Sequence, residues 1–312
     1  MRENENVILS FAIMATLLIF VGVAQSWGVA LSILNLCLIS AVMSIGVNIQ
    51  WGYAGLINFG VMGFTALGGL AAVLVSVDPI EEAWSEGGIG ILTSIGLIVL
   101  LIFLIKIILK KITQSKKRYF LIGIVIFLFI ILIRKISGPS IEAIESVNPA
   151  TQGFLGGLGL PIMFSWVIGG VFAALVAFVI GKIALGLRSD YLAIATLLIS
   201  GIIVSFVKHE DWLSRGVKNV IGMKRPAPYE INLQQTEWFI NMVAFLNSGK
   251  LNLIDDILKK EKVLNQLVMD ASTIFVKLCF AGLFSVVVII LLILAQKALY
   301  SPWGRMMRAI RD

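Results

Sequence analysis

The sequence predicts an all-α fold, a polytopic membrane helical bundle of about eight spans, and three observations carry that prediction. Of the 312 residues, 59% are hydrophobic and only 14% are charged, whereas soluble domains hold roughly 25% charged residues because a packed core needs a polar shell. The mean hydropathy is +0.98. Apolar runs recur at the length set by about 30 Å of hydrocarbon and a helical rise of about 1.5 Å per residue.

Taken in order, the runs cover 7–26, 29–47, 56–77, 89–110, 119–136, 160–184, 191–207 and 273–296. The first begins behind Arg2 and ends in Gly22 and Ala24 before Gln25, a pattern shared with cleaved secretory signals, and a retained first span is the favoured reading. The second and third are separated only by the Gly-rich stretch 48–55, which fits either two full spans or a broken or re-entrant helix pair near 48–69. The chain then divides into N-terminal spans (1–77), an insertion with two further spans (78–150), a transmembrane core (151–207), an external segment (208–272), and a last span with a tail (273–312). Within the external segment, 236–246 and 251–269 place Trp238, Met242 and Phe245, then Ile254, Ile257, Leu258, Leu264 and Leu267, at helix-like spacings. These read as short surface helices, either lying in the membrane interface or offering a docking surface to an external partner.

The net charge of +7 is a matter of sidedness here and does not point to nucleic acid. Cytoplasmic loops are enriched in Lys and Arg. With the N-terminus inside, thirteen cations fall inside: Arg2, Lys106, Lys110, Lys111, Lys116, Lys117, Arg118, Lys182, Arg188, Lys297, Arg305, Arg308 and Arg311. The short outside loops hold two, Arg134 and Lys135, and the acidic loop with Asp78, Glu81, Glu82 and Glu86 falls outside. Both ends of the chain are therefore expected in the cytoplasm.

The sequence offers no catalytic residues, metal ligands or cofactor motif. Gly181-Lys182 and Gly249-Lys250 lack the other residues of a phosphate-cradling loop. His209 beside Glu210 and Asp211 falls short of the three or four ligands a zinc ion needs without help from elsewhere in the fold. Cys37 and Cys279 lie in apolar runs with no paired spacing. Ion-driven carriers place ionisable groups within their spans; here Lys277 is near a span end, from which its amine can reach the surface. An energy source for transport is thus expected on another chain.

The most distinctive passage is NIQWGYAGLINFGVMGFTALGG at 48–69. Its glycines, Gly52, Gly55, Gly60 and Gly63 among them, serve either close helix packing or an interrupted helix whose freed backbone lines a polar path. Asn48, Gln50, Asn58 and Thr65 supply side-chain donors and acceptors beside that backbone. A second passage, LRSDYLAIATL at 187–197, sets Arg188 at a membrane surface and Ser189 or Asp190 as the cap of a helix opening near Tyr191. The tail, YSPWGRMMRAIRD at 300–312, stops the last span at Pro302. As a helix it sets Met306 and Ile310 on one face with Met307 near and Arg305, Arg308 and Arg311 flanking, which suits either an anchor on anionic lipid or a knob for a protein groove.

Together these passages resemble the high-affinity branched-chain amino-acid ABC transporter permeases, the LivM-like family that also includes urea and amide permeases. The Gly-rich run is similar to that family's signature, the second passage to its Y-L/F-A-I-x-T-L opening of a span, and the tail to its cytoplasmic coupling segment. The resemblance implies that 48–69 forms part of the substrate path and that Gly304, Arg305, Arg308, Ile310 and Arg311 engage the motor. It also implies cytoplasmic ATP-binding subunits, a second permease subunit and a periplasmic or extracellular substrate-binding protein as partners, in addition to the lipid bilayer. Two departures stand out. Ser214-Arg215-Gly216 replaces a turn of Thr-Gly-Gly type, and in the family further transmembrane sequence follows the coupling segment, so either a truncated permease or an incomplete gene product is expected. The rival expectations are a membrane scaffold or assembly protein and an ion-coupled secondary carrier.

Overall fold

A computed structural model describes residues 2–112, 115–184, 186–253 and 256–311. The described residues form helices joined by turns and irregular stretches, with no strand among them. In chain order the helices are α1 (Arg2–Ala24), α2 (Trp27–Asn48), which runs into a π-helical turn (Ile49–Tyr53), α3 (Val61–Ser76) and α4 (Glu81–Ala83). A second π-turn (Trp84–Gly88) leads into α5 (Ile89–Lys111), followed by α6 (Ser115–Ser146), α7 (Ile162–Ala184), α8 (Ser189–His209) and α9 (Asp211–Ser214). The remainder are α10 (Glu230–Gln235), α11 (Glu237–Leu246), α12 (Ser248–Leu251), α13 (Ile257–Tyr300) and α14 (Pro302–Arg311).

Seven described stretches are long and apolar enough to cross a membrane: Asn6–Ala24, Trp27–Tyr53, Glu81–Lys111, Lys116–Ser146, Ile162–Ala184, Asp190–His209 and Ile257–Tyr300. The expected third span over 56–77 yields only the 16 residues of α3, about 24 Å at a rise of about 1.5 Å. Its first five residues go to the irregular stretch behind Gly55, whose φ is +68°. The expected external loops are also more helical than their composition suggests: 81–88 continue into α5, and α6 persists through Pro139 to Ser146.

The chain forms two compact units, one of residues 1–58 with 225–312 and the other of residues 59–224. In the first, the α1–α2 turn is fixed by Ser26, whose hydroxyl accepts from the Val29 amide at 3.2 Å. The most extensive contact of this unit is α2 against α13. There the Asn35 amide nitrogen donates to the Lys277 carbonyl (3.2 Å), and Lys277 donates its ammonium to the Gly28 carbonyl (2.9 Å) at the first turn of α2. Lys277 thus reaches a helix end, as a cation near a span boundary must.

Helix α13 has 44 residues, about 66 Å, roughly twice the hydrocarbon thickness. Its apolar stretch between Lys277 and Lys297 accounts for about 28 Å. Residues 257–276 therefore continue about 30 Å beyond it as a rod. The expected surface helix at 251–269 is not separate: from Ile257 onward it is the start of the last spanning helix, since no Gly or Pro interrupts 257–272. The second expected helix, 236–246, is α11, and it packs on this rod. Phe239, fully buried, and Val243 meet Val268 and Val276, with the Phe239 and Phe275 rings edge to face at 5.7 Å.

In the second unit α3 is the central element, packed on α7 and α8. At Gly169 of α7 an added Cβ would come within 3.1 Å of the Ala71 Cβ, so small residues set this crossing. The carbonyls at the end of α3 have no helical partner. They accept from the amides of Leu158, Leu160 and Gly159, through Leu74 (3.0 Å), Val75 (2.9 Å) and Val77 (2.9 Å). Helices α5 and α6 form a close pair, with Gly87 and Gly90 against α6 at Ser140 and Ile144.

Candidate functional site

The Gly-rich passage is where one spanning helix of the first unit, α2, gives way. Helix α2 widens into a π-turn and then stops. The Gly55 amide donates to the Trp51 carbonyl and the Leu56 amide to the Gln50 carbonyl, both at 3.1 Å. At Gly52 a Cβ would collide with the Asn48 side chain. Gly55 lies at φ +68°, where L-residues are strained by about 1–2 kcal/mol. The Asn58 amide nitrogen donates to the Gln50 side-chain oxygen at 2.7 Å, bridging the two sides of the break. Five sequence-predicted path residues, Asn48, Gln50, Gly52, Gly55 and Asn58, are thereby gathered around one interrupted helix end.

The predicted coupling segment is α14, and it packs on both α13 and this π-turn. Pro302 opens it, and the Ser301 hydroxyl donates to the Ala298 carbonyl at 2.5 Å. Gly304 is buried against the backbone of Leu299, and a Cβ there would overlap the Leu299 Cα at 2.6 Å. Met307, one turn on, is 8% exposed, whereas Met306 points outward. The sequence reading had Met306 on the apolar face; the requirement that Gly304 face α13 turns Met307 inward, because positions three apart share a helix face. Arg308 donates to the Leu299 (3.3 Å) and Gly304 (3.4 Å) carbonyls and so ties α14 to the end of α13. Arg305 is exposed. The side chains of Ile310 and Arg311 lie outside the described residues.

The remaining path residues, Gly60, Gly63 and Thr65, belong to the second unit. Gly60 is the N-cap of α3 and offers no side chain. The amides freed there are met by two hydroxyls of α8: Thr196 accepts from the Phe59 amide at 3.1 Å, and Ser200 from the Gly63 amide at 2.8 Å. Gly63 permits this approach, since a Cβ would stand 2.9 Å from the Ser200 Cα. Thr65 bonds the Val61 carbonyl of its own helix at 3.0 Å. Thr196 and Ser200 were not singled out as site residues; their signal was a pair of hydroxyls four apart on α8, one of them inside the LRSDYLAIATL passage. Helix α8 itself begins at Ser189 with Arg188 as its extended N-cap, two residues ahead of expectation.

The unusual turn 214–216 also resolves. Arg215 takes φ +62° and Gly216 φ +55°, so arginine occupies a left-handed position that ordinarily favours glycine. Its guanidinium, 3% exposed as a residue, donates to the carbonyls of Asn219 and Ala150, each at 2.5 Å, and faces the Phe154 ring at 6.0 Å. These bonds offset the backbone strain and join two loops. Beside them a cavity of about 430 Å³ is lined by Asp78, Glu81, Glu82, Gln152 and Phe154 among others. Lys224 holds Asp78 at 2.6 Å. His209 lies against the Ser205 carbonyl, its Nδ1 at 2.7 Å. Among the described residues no three His, Cys, Asp or Glu side chains are grouped to hold a metal.

Fold and site define a multi-span helical membrane protein whose architecture is consistent with that of a transporter. No family model, curated protein or solved structure matches the chain.

Proposed function

We propose that the chain is a permease subunit of an ATP-driven importer in a prokaryotic plasma membrane, carrying branched-chain or other small amino acids, or urea or amides. On this reading both termini are cytoplasmic, an external binding protein delivers the substrate, a second permease subunit completes the path, and separate ATP-binding subunits supply the energy. The observation that carries it is the packing of α14 on the π-turn Ile49–Tyr53. A helix that presents cations outward and touches an interrupted spanning helix inward couples a push at the membrane surface to the one place where that span can change its backbone. Three passages in the order of the permease family support the same reading.

The test is co-purification of the full chain from its native membrane. Recovery of an ATPase and a second permease is expected, and recovery of neither favours a scaffold. Arg305→Glu, and then Arg305→Glu with Arg308→Glu, should abolish ATPase association in a pull-down while membrane insertion is retained. The single variant leaves the bonds of Arg308 to α13 in place, so loss of association there reports the docking surface itself. Unchanged association in both variants overturns the coupling role.

A further inference from the structure

The tip of the α5–α6 pair carries a charge distribution that the fold does not neutralise. Lys106, Lys110 and Lys111 end α5, and Lys116, Lys117 and Arg118 begin α6. The two helices pack antiparallel along their length, which brings the six cations to one end of the pair. The sequence holds no Asp or Glu anywhere from 87 to 141. Among the described residues no carboxylate pairs with any of the six; the ion pairs involve Lys218, Lys224, Arg225 and Lys259.

Two features of this arrangement are unfavourable for the chain alone. Lysines at the end of α5 suit the negative end of its dipole, but Lys116, Lys117 and Arg118 occupy the first turn of α6, the positive end, where cations are disfavoured and anions are bound. Arg118 also leaves a donor unused. Its Nη2 donates to the Tyr119 hydroxyl at 3.3 Å and its guanidinium lies over the Tyr119 ring at 5.0 Å, while its Nε is enclosed without an acceptor. The five lysines are exposed. Directly below the cations both helices are apolar, with Phe103, Tyr119 and Phe120 outward, so the tip stands at the level where headgroups meet acyl chains.

We propose that this tip binds the phosphate headgroups of anionic phospholipid in the leaflet it faces. A phosphodiester there meets the exposed ammonium groups and the first-turn amides of α6 together, and its acyl chains run down the apolar faces of α5 and α6. Clusters of four to eight cations at the end of a span attract such lipids. The shared chemistry with soluble phosphate is the charged oxygen; the apolar faces beneath assign the site to lipid.

The experiment uses the full chain, delipidated in detergent and titrated with phosphatidylglycerol or phosphatidylcholine, with bound lipid counted by native mass spectrometry. Because neutralising these lysines by mutation can change how the hairpin inserts, charge is removed after insertion, by acetylating the purified protein with acetic anhydride. Unmodified protein should prefer phosphatidylglycerol by about tenfold, and acetylated protein should show almost no preference. A variant with Lys106, Lys110, Lys111, Lys116 and Lys117 all changed to Arg resists acetylation at the tip and should keep most of its preference after the same treatment. The proposal is overturned if acetylated wild-type protein retains the preference, or if the arginine variant loses it as fully. It is also overturned if glycerol 1-phosphate competes as well as the lipid does, which would make this a site for a soluble phosphate.

Discussion

The two halves of the Gly-rich passage use the same residue to opposite ends. In the first unit Gly52 and Gly55 let a spanning helix widen and stop, and the polar side chains of Gln50 and Asn58 close on each other across the gap. In the second unit Gly63 holds a helix together with its neighbour, letting α8 come close enough for Ser200 to accept the Gly63 amide. The first half is an interrupted helix end, held by the bonds of the Gly55 and Leu56 amides and by the Asn58–Gln50 side-chain pair. The second is a locked contact, because backbone atoms meet backbone atoms. A glycine cluster in a membrane protein is therefore not one signal, and what surrounds each Cα decides its role.

The largest effect separating the halves is expected at Gly63. A leucine there meets the Ser200 Cα, which cannot move without shifting α8, so Gly63→Leu should destabilise the protein by about 3 kcal/mol, the upper end for overpacking. Gly69→Leu is the control, since a Cβ at Gly69 meets nothing within 4 Å and leucine suits a lipid-facing position. Melting temperatures in detergent should fall sharply for the first variant and hardly at all for the second. Equal losses would mean that the close approach of α3 to α8 is not what Gly63 provides.

A smaller effect is expected on the other side. Gly55→Ala places a Cβ at φ +68°, a cost of roughly 1–2 kcal/mol. Asparagine tolerates that region better than other non-glycine residues, so Gly55→Asn should recover part of the loss. If Gly55→Ala melts like the unaltered protein, the stretch 54–60 adopts another backbone conformation without penalty. On the permease reading, that same variant should also lower transport more than its stability loss explains, because it acts where the span must change shape.

The sequence made the helical, membrane-embedded class and the interruption near 48–55 legible, because composition and a run of glycine beside Asn and Gln are local properties. Partners across the fold were not legible. Thr196 could equally have bonded only its own helix, and it does donate to the Ala193 carbonyl at 2.9 Å; nothing in its spacing says that the Phe59 amide also arrives there. The continuity of α13 was obscured by charge: Lys259, Lys260, Glu261 and Lys262 made 251–269 resemble a surface helix, and periodicity does not reveal whether two helical stretches join. Arg215 was hidden for a different reason. Its left-handed backbone is stabilised by bonds to Asn219 and Ala150, one of them 65 residues away, so the residues beside it in sequence do not reveal what holds the turn.

The smallest expected effect distinguishes both halves from a titrating segment of the first unit. Residues 48–69 contain no Asp, Glu, His, Lys or Arg, so mild acid leaves the passage itself unchanged. The segment leading to α10 does titrate. Glu230 accepts hydrogen bonds from Arg225, whose guanidinium lies over the Tyr229 ring at 4.4 Å. Those bonds lower the Glu230 pKa against an opposing effect of burial. A carboxyl lowered in the folded state adds stability at pH values above its ordinary value near about 4.3, and the contribution disappears as pH falls through the lowered value. Both side chains are about a third exposed, at 30% and 32%, so solvent screening keeps the effect below about 1 kcal/mol. Unaltered protein should therefore melt slightly above Glu230→Gln at pH 7, and the offset should shrink on titration into acid, disappearing as the pH passes through the lowered value. The offset of Gly63→Leu should be the same across that range, because it arises from packing. If the Gly63→Leu offset shrinks in acid as well, packing and charge are coupled through the chain, and the two halves of the passage do not act independently of the titrating segment.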